Sequence, residues 1–354
     1  MKKILVTGGA GFAGSNIAIN LKKNYPHYQI YAFDNLKRRG SELNVERFKT
    51  YDIQFIHGDI RCTEDIMAVP EVTDIIDACA EPSVLAGIAG DPSYLINTNL
   101  NGTVNCLTLA KKYQSNFIFL STSRVYPIAP LCNIPYADTE SRFETDLSKP
   151  MQGITAMGIN EDFTLKGARS LYGSTKLASE LLIEEYHAFF GMNMIINRCG
   201  VLTGAWQFGK VDQGFMVLWM ANHFYKKKLG YFGFGGTGKQ VRDILHIDDL
   251  YKLLDMQLHN MPKYNGNIYN VGGGRACSIS LAELTKICEE VTGNTILIEK
   301  VPETRVADIP IYLSDYTKIY NLCGWKPVHT PQSICADIYH WLHDNEQMLK
   351  PLLG

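Results

Sequence analysis

The feature that most constrains this chain is a glycine-spaced turn set between an apolar run and an amphipathic one. Residues 4–7 read as a buried strand, and Thr7-Gly8-Gly9-Ala10-Gly11-Phe12-Ala13-Gly14 then opens a helical pattern over 13–24. Gly8 permits a tight turn, Gly11 lets backbone approach a pyrophosphate, and Gly14 allows close helix–strand packing. Phosphates placed there meet the positive end of the helix dipole and its free amides. A glycine turn alone is a weak signal, because glycines also serve ordinary turns. Here a second apolar run, 30–33, ends in Asp34-Asn35, with Asp34 twenty residues beyond Gly14. That is about the ~20-residue spacing of an acid that holds the adenosine ribose of a dinucleotide.

The rest of the first half repeats the alternation. Runs at 53–56, 74–78 and 117–120 read as further buried strands, with a long helical pattern at 94–113. Strand–helix alternation predicts parallel strands with right-handed crossovers, hence an α/β chain with a doubly wound, Rossmann-type sheet. Asp34 at a strand end favours NAD over NADP by charge repulsion. The run Lys37-Arg38-Arg39 supports the opposite reading, a cradle for a 2′-phosphate. Asp59 suits the adenine amino group, or serves simply as a turn aspartate in His57-Gly58-Asp59.

After Tyr126 the pattern lapses, and residues 127–170 show prolines, glycines and charges without a sustained period. A strong helix over 169–190 and a strand over 194–197 follow. Helical patterns then cover 213–228, 280–291 and 331–347, with a Gly-rich turn before Gln240. A chain of 354 residues accommodates two lobes. The expected division is a dinucleotide-binding domain over 1–198, to which 238–262 returns, and a smaller C-terminal substrate-binding lobe from 199–237 and 263–354.

Composition narrows the class. A formal charge of −2 leaves no electrostatic footprint for nucleic acid or an anionic membrane. Nine cysteines, odd in number and without a Cys-x-x-Cys pair, argue against a disulfide framework and a zinc site and for a reducing compartment. The apolar start breaks at Thr7-Gly8-Gly9, too short for a signal peptide. No stretch approaches the ~20 apolar residues that span a bilayer. A soluble cytoplasmic protein with no metal is expected.

Tyr172-Gly173-Ser174-Thr175-Lys176 falls in the 169–190 helix, and spacing of four puts Tyr172 and Lys176 on one face. A phenol titrates near ~10 and is a poor base at neutral pH, but a nearby ammonium and a cationic nicotinamide ring both favour phenolate. Taken alone, Tyr-x-x-x-Lys in a chain with nineteen tyrosines is more simply a chance surface pair. Ser121-Thr122-Ser123, at the end of the 117–120 strand, changes that balance, because a parallel sheet delivers side chains there to its ligand crevice. Thr122 is placed to bond the same hydroxyl that Tyr172 deprotonates.

With these residues in view, the chain resembles the extended short-chain dehydrogenase/reductase superfamily of NAD-dependent nucleotide-sugar epimerases and dehydratases. The resemblance covers nearly the whole chain. It includes the glycine turn, Asn99-x-x-Gly102-Thr103, Val125-Tyr126, Tyr172 with Lys176, Gly238-Lys239-Gln240-Val241-Arg242-Asp243 and Gly324-Trp325-Lys326-Pro327. It implies Thr122, Tyr172 and Lys176 as catalytic residues. It implies cofactor contacts at Gly8, Gly11, Phe12, Ala13, Asp34, Asn35, Arg39, Asp59, Ile60, Ala78, Cys79, Ala80, Asn99, Ser121 and Arg198, besides Tyr172 and Lys176. Substrate contacts are implied at Ser123, Arg124, Gln207, Asp212, Gln213, Arg242 and Arg305, the two last arginines on the nucleotide diphosphate. The plainer reading of each such arginine is a structural ion pair. The resemblance also implies a homodimer or homotetramer built on the 94–113 and 169–190 helices.

Within the superfamily the 4,6-dehydratases carry Thr-Asp-Glu at the strand end, where this chain has Thr122-Ser123-Arg124. Elimination needs a general acid and base, so dehydration is disfavoured and epimerisation favoured. Asp34-Asn35-Leu36-Lys37-Arg38-Arg39-Gly40, Tyr136-x-x-Thr139-Glu140-Ser141-Arg142-Phe143, Gln207-Phe208 and Asp212-Gln213-Gly214 are similar to segments of the branch that inverts carbon 2 of CDP-sugars. A nucleotide-sugar substrate, a CDP-sugar first, is the expected partner, and a 4-epimerase or dehydratase/reductase the rival. A catalytically silent NAD-binding scaffold is the rival of another class. Three departures stand out: Asp77 where the superfamily usually has His, Thr203 where a tyrosine is usual, and Pro127 in place of glycine after Tyr126. Arg142 with Glu140 reads as a solvated loop pair or a substrate element, and Trp206 as core packing or a substrate contact.

Overall fold

The computed structural model describes residues 1–88, 90–209 and 213–354. Its principal sheet has seven strands, in the order Asn267–Val271, Met194–Cys199, Asn116–Thr122, Asp74–Asp77, Lys3–Thr7, Gln29–Asp34 and Gln54–His57. The five strands of the first half pair in parallel, with Ile4 opposite both Ile30 and Asp74. Strand order reverses at Lys3–Thr7, and the crevice beyond such a switch point is where open α/β sheets hold ligands.

Four of the first-half strands are largely buried on both faces, which favours unbroken apolar runs over alternation; Gln54–His57, expected to be buried as well, is the edge strand and stays partly exposed. Leu5, Ile75, Phe117 and Phe119 pack in one core cluster with Cys106, Leu107, Leu109 and Ala110 of helix Gly102–Tyr113 and with Ile183 of helix Leu171–Phe190. The helix expected over 94–113 is present but not uniform. Ser93–Ile96 is α-helical, Asn97–Asn101 is a π-turn, and Gly102–Tyr113 resumes the α-helix.

Contacts divide the chain into two units. The first comprises Met1–Val125, Leu171–Arg198 and Leu250–Tyr269, the second Tyr126–Ser170, Cys199–Asp249 and Asn270–Gly354. These bounds differ from the expected ones in two places, and the two units are of similar length. Residues 126–170 belong to the second unit because their few ordered elements are tied there. Phe143 of the hairpin Tyr136–Asp138 and Phe143–Thr145 packs with Val241, Ile311 and Leu313, and the Ile159 amide donates to the Leu313 carbonyl at 2.8 Å. The return to the first unit begins at Leu250 rather than 238, because Val241–His246 is the central strand of the second unit's small sheet. It pairs with Val201–Thr203, Ser278–Ser280 and Ile311–Tyr312.

The second unit's own core lies among the helices Phe215–Phe224, Leu281–Thr292 and Pro331–Asp344, around Met216, Trp219, Leu284, Ile334 and Trp341. Two of these helices start at reciprocal caps, Ser280 with Glu283 and Thr330 with Ser333, which satisfy amides the first turn leaves unpaired. Among the described residues no helix is long and apolar enough to cross a membrane.

Candidate active site

The glycine turn is shaped by close approach. Gly8 has φ of 60°, and a Cβ there would lie 2.8 Å from the Cys79 Cα at the exit of the neighbouring strand. A Cβ on Gly14 would lie 2.2 Å from the Gly8 carbonyl oxygen, so any side chain would push the helix off its turn. The Gly11 amide donates to that same carbonyl at 2.9 Å, and helix Phe12–Asn24 starts without a side-chain cap. The first-turn amides around Phe12 and Ala13 are thus left for a ligand. This is a cradle that side chains would fill, and it fits a dinucleotide pyrophosphate.

Asp34 ends its strand as expected. Its carboxylate accepts from the amides of Leu36 at 2.8 Å and Ala10 at 3.1 Å; burial pushes its pKa up and these amides oppose the shift. Asn35 donates to Asp59 at 3.1 Å, and Arg61 pairs with Asp59 at 2.6 Å and holds its carboxyl well below the usual range. Asp59 also accepts from the Arg61 amide at 3.0 Å, the bond of a turn aspartate. Ile60 beside it is buried. Lys37 lies 3.2 Å from the centroid of the Tyr94 ring, whereas Arg39 is exposed.

Asp77, the departure from histidine, is a buried hub. It accepts from Thr7 at 2.7 Å, Thr103 at 2.9 Å and the Cys79 amide at 3.3 Å. These bonds fix Ala78, Cys79 and Ala80 beside Gly8. Burial, then the Asp77 charge, pushes the Cys79 thiol well up, with Lys176 opposing. Asn99 projects from the π-turn; its carbonyl accepts from the Glu81 amide at 2.7 Å, and its amide donates to the Glu81 carbonyl at 3.1 Å and to Thr175 at 3.3 Å. That side chain ties the loop after Ala80 to the helix carrying Tyr172.

Thr122, Tyr172 and Lys176 lie in the first unit, exposed by only 7%, 9% and 1%. A chance surface pair is therefore ruled out. Lys176 Nζ stands 3.8 Å from the Phe119 ring centroid, and Thr122 Oγ1 accepts from the Arg124 amide at 3.2 Å. Such burial of an ammonium is costly unless it serves a negative group.

Ser121 and Arg198, expected at the cofactor, have other partners. Ser121 Oγ donates to Glu180 Oε1, and Arg198 pairs with Glu180 through Nε and a terminal nitrogen at 2.8 Å. Sequence reading passed over Glu180, though an acid four residues after Lys176 on the same face was a usable signal.

Ser123 and Arg124 lie in the turn Ser123–Val125 of the first unit. Gln207 accepts from Thr203 at 3.1 Å and donates to the Leu202 carbonyl at 2.9 Å, which gives the unusual Thr203 a structural task. Asp212 lies outside the described residues, and Gln213 is half-buried. Arg242 donates to the carbonyls of Val241 at 2.8 Å and Ile309 at 2.7 Å, and Arg305 rests on the Phe232 ring at 4.5 Å. Arg142 pairs with Glu144 and Glu283, both at 3.5 Å, while Glu140 is exposed. Trp206 packs on Trp341 at 6.0 Å as part of the core.

Comparison with known proteins agrees with this geometry. The model of the NAD dependent epimerase/dehydratase family matches residues 4–272. CDP-paratose 2-epimerase of Salmonella typhi is 32% identical over 350 residues, 96% of this chain and 98% of that protein. A dTDP-glucose 4,6-dehydratase of Salmonella typhimurium is 28% identical, over 98% of this chain and 94% of its own length. Among solved structures, dTDP-glucose 4,6-dehydratase of Bacillus anthracis in complex with NAD superposes with a TM-score of 0.78 at 27% identity, covering 99% of this chain and 100% of that one.

Proposed function

Since the chain belongs to the NAD dependent epimerase/dehydratase family and takes NAD as its cofactor, we propose that it is a nucleotide-sugar epimerase inverting carbon 2 of a CDP-hexose of the paratose type. The observation that carries this reading is the 32% identity to CDP-paratose 2-epimerase along 96% of the chain. The strand end Thr122-Ser123-Arg124, without the paired acids of the dehydratases, supports it. Whole-length similarity to a dehydratase at 28% makes dehydration the second reading.

In the proposed reaction Tyr172, as phenolate, takes the proton of the carbon-2 hydroxyl. Lys176 holds the phenolate one helical turn away, and Thr122 bonds the same oxygen and keeps it in line. Bound NAD supplies a hydride acceptor that gives the hydride back, so net redox is zero. Tyr172 returns the proton once the keto sugar has presented its other face. Arg242 and Arg305 are proposed to grip the diphosphate during that turn, where guanidinium forks suit phosphate oxygens. Binding energy far from the reacting carbon then retains the intermediate.

We further propose a cytoplasmic homodimer or homotetramer; the exposed Leu181 and Phe189 on helix Leu171–Phe190 support self-association. The reaction is tested by incubating the protein with CDP-paratose, CDP-glucose and UDP-glucose in deuterated water and following each by NMR. Inversion at carbon 2 without deuterium is expected. Inversion at carbon 4, loss of water, or deuterium on carbon overturns the proposal. Tyr172→Phe should lower turnover by about a hundred- to ten-thousand-fold.

A further inference from the structure

Tyr172, Lys176 and Glu180 follow one another at intervals of four and so share a stripe of helix Leu171–Phe190. The first two are assigned to chemistry. Glu180 is buried as deeply as Lys176, yet the proposed mechanism gives it no task. Its partners are informative. One is Ser121, the residue before Thr122 at the end of strand Asn116–Thr122; the other is Arg198, near the end of strand Met194–Cys199. Side-chain exposures of 3% for Arg198 and 1% for Glu180 mean that water screens neither group. The carboxylate takes two bonds from Arg198 Nε, at 3.2 and 3.1 Å, one from its terminal nitrogen at 2.8 Å, and the Ser121 hydroxyl.

Resting on the epimerase reading, we infer that Glu180 is a positioning residue for the reaction. It fastens the helix bearing Tyr172 and Lys176 to two strand ends at once, and so sets the place of Thr122 relative to the phenol. A buried ion pair is weak evidence for stability, because desolvation offsets most of its attraction. Fixed geometry is what such a pair can supply here. Ser121 adds direction: with its hydroxyl held, the next residue projects Thr122 Oγ1 at a defined height above the sheet. Misplacement by about 1 Å costs on the order of a hundredfold in rate, so a tether one residue from a catalytic hydroxyl acts on turnover more than on binding.

The test compares Ser121→Ala, which removes only the strand-end tether, with Glu180→Gln, which weakens both. Each is measured in the NAD-loaded full chain with CDP-paratose. Glu180→Gln is expected to lower kcat by about tenfold to a hundredfold, and Ser121→Ala by several-fold. KM for the nucleotide sugar and the bound-NAD content should stay within about twofold. A second readout needs no turnover: the pH titration of phenolate absorbance lost in Tyr172→Phe should move in Glu180→Gln and return in Glu180→Asp if the shorter acid still reaches Arg198. Unchanged kcat and an unmoved phenol titration in both variants, with Tyr172→Phe inactive, overturn this inference and leave the epimerase reading standing. If Glu180→Gln does not fold, Ser121→Ala decides by the same two readouts. If wild type turns over no nucleotide sugar, the epimerase reading falls, and the phenol titration alone decides whether Glu180 positions Tyr172.

Discussion

Two carboxylates sit at similar depth in the two units and are held by opposite means. Glu180 of the first unit faces the Arg198 guanidinium at 2.8 Å. Asp243 of the second accepts the amides of Gly274 and Ser314, both at 3.2 Å, and among the described residues no cation reaches it within ion-pair distance. Burial pushes Asp243 up to about 6, with the hydrogen bonds of Ser314 and Gly274 opposing. Desolvation penalises the charged form of any carboxyl, and a guanidinium in contact offsets that penalty better than amides do. Asp243, held by amides alone, is thus the carboxyl that burial moves toward protonation.

The comparison can be broken at either end. The largest effect is expected for Arg198→Met, which leaves Glu180 buried without its cation. Urea unfolding should show a loss of about 3–5 kcal/mol, and a loss below about 1 kcal/mol would mean that Glu180 is satisfied without the pair. Next comes Asp243→Asn. Since the folded pKa is raised from 3.8 to about 6, the native state binds the extra proton. The Asp243 contribution is therefore greatest below about pH 4 and is lost as pH rises to about 6. Its full span is about 3 kcal/mol at ~1.4 kcal/mol per unit. The variant should flatten the dependence of stability on pH across that window, and identical slopes for variant and wild type would count against a protonated Asp243. Smallest is Lys228→Ala, opposite Glu299. With side chains 71% and 51% exposed, the pair should change unfolding free energy by less than about 0.5 kcal/mol.

Legibility followed periodicity. The strands of the first half, the turn at Gly8 to Gly14 and the helix Leu171–Phe190 were readable, because each repeats a period or a spacing that one physical cause imposes. The short hairpin Tyr136–Asp138 with Phe143–Thr145 was not, since strands of three residues hold too few positions to show alternation. The place of residues 126–170 was unreadable for the same reason: Phe143 is one apolar residue in a polar stretch, and only its packing on Val241, Ile311 and Leu313 reveals its allegiance. In the site, residue types were legible and their partners were not. The resemblance implied cofactor contacts at Ser121 and Arg198, while the carboxylate they share lies on another element, distant in sequence, where no period links it to them. Arg242 read as a phosphate grip or an ion pair, and the structure adds bonds to two main-chain carbonyls that no sequence pattern announces.

The π-turn at Asn97–Asn101 has a consequence for the chain's history. Such a turn holds one more residue than an α-helical turn would. Deleting one of the five would restore a smooth helix without turning Gly102–Tyr113 about its axis, because the wider turn absorbs the extra residue locally. Leu107, Ala110 and their neighbours would keep their places in the core, and the side chains of the turn itself, Asn99 among them, would be re-aimed. A one-residue change of length here thus alters where Asn99 points and leaves the packing beyond it intact.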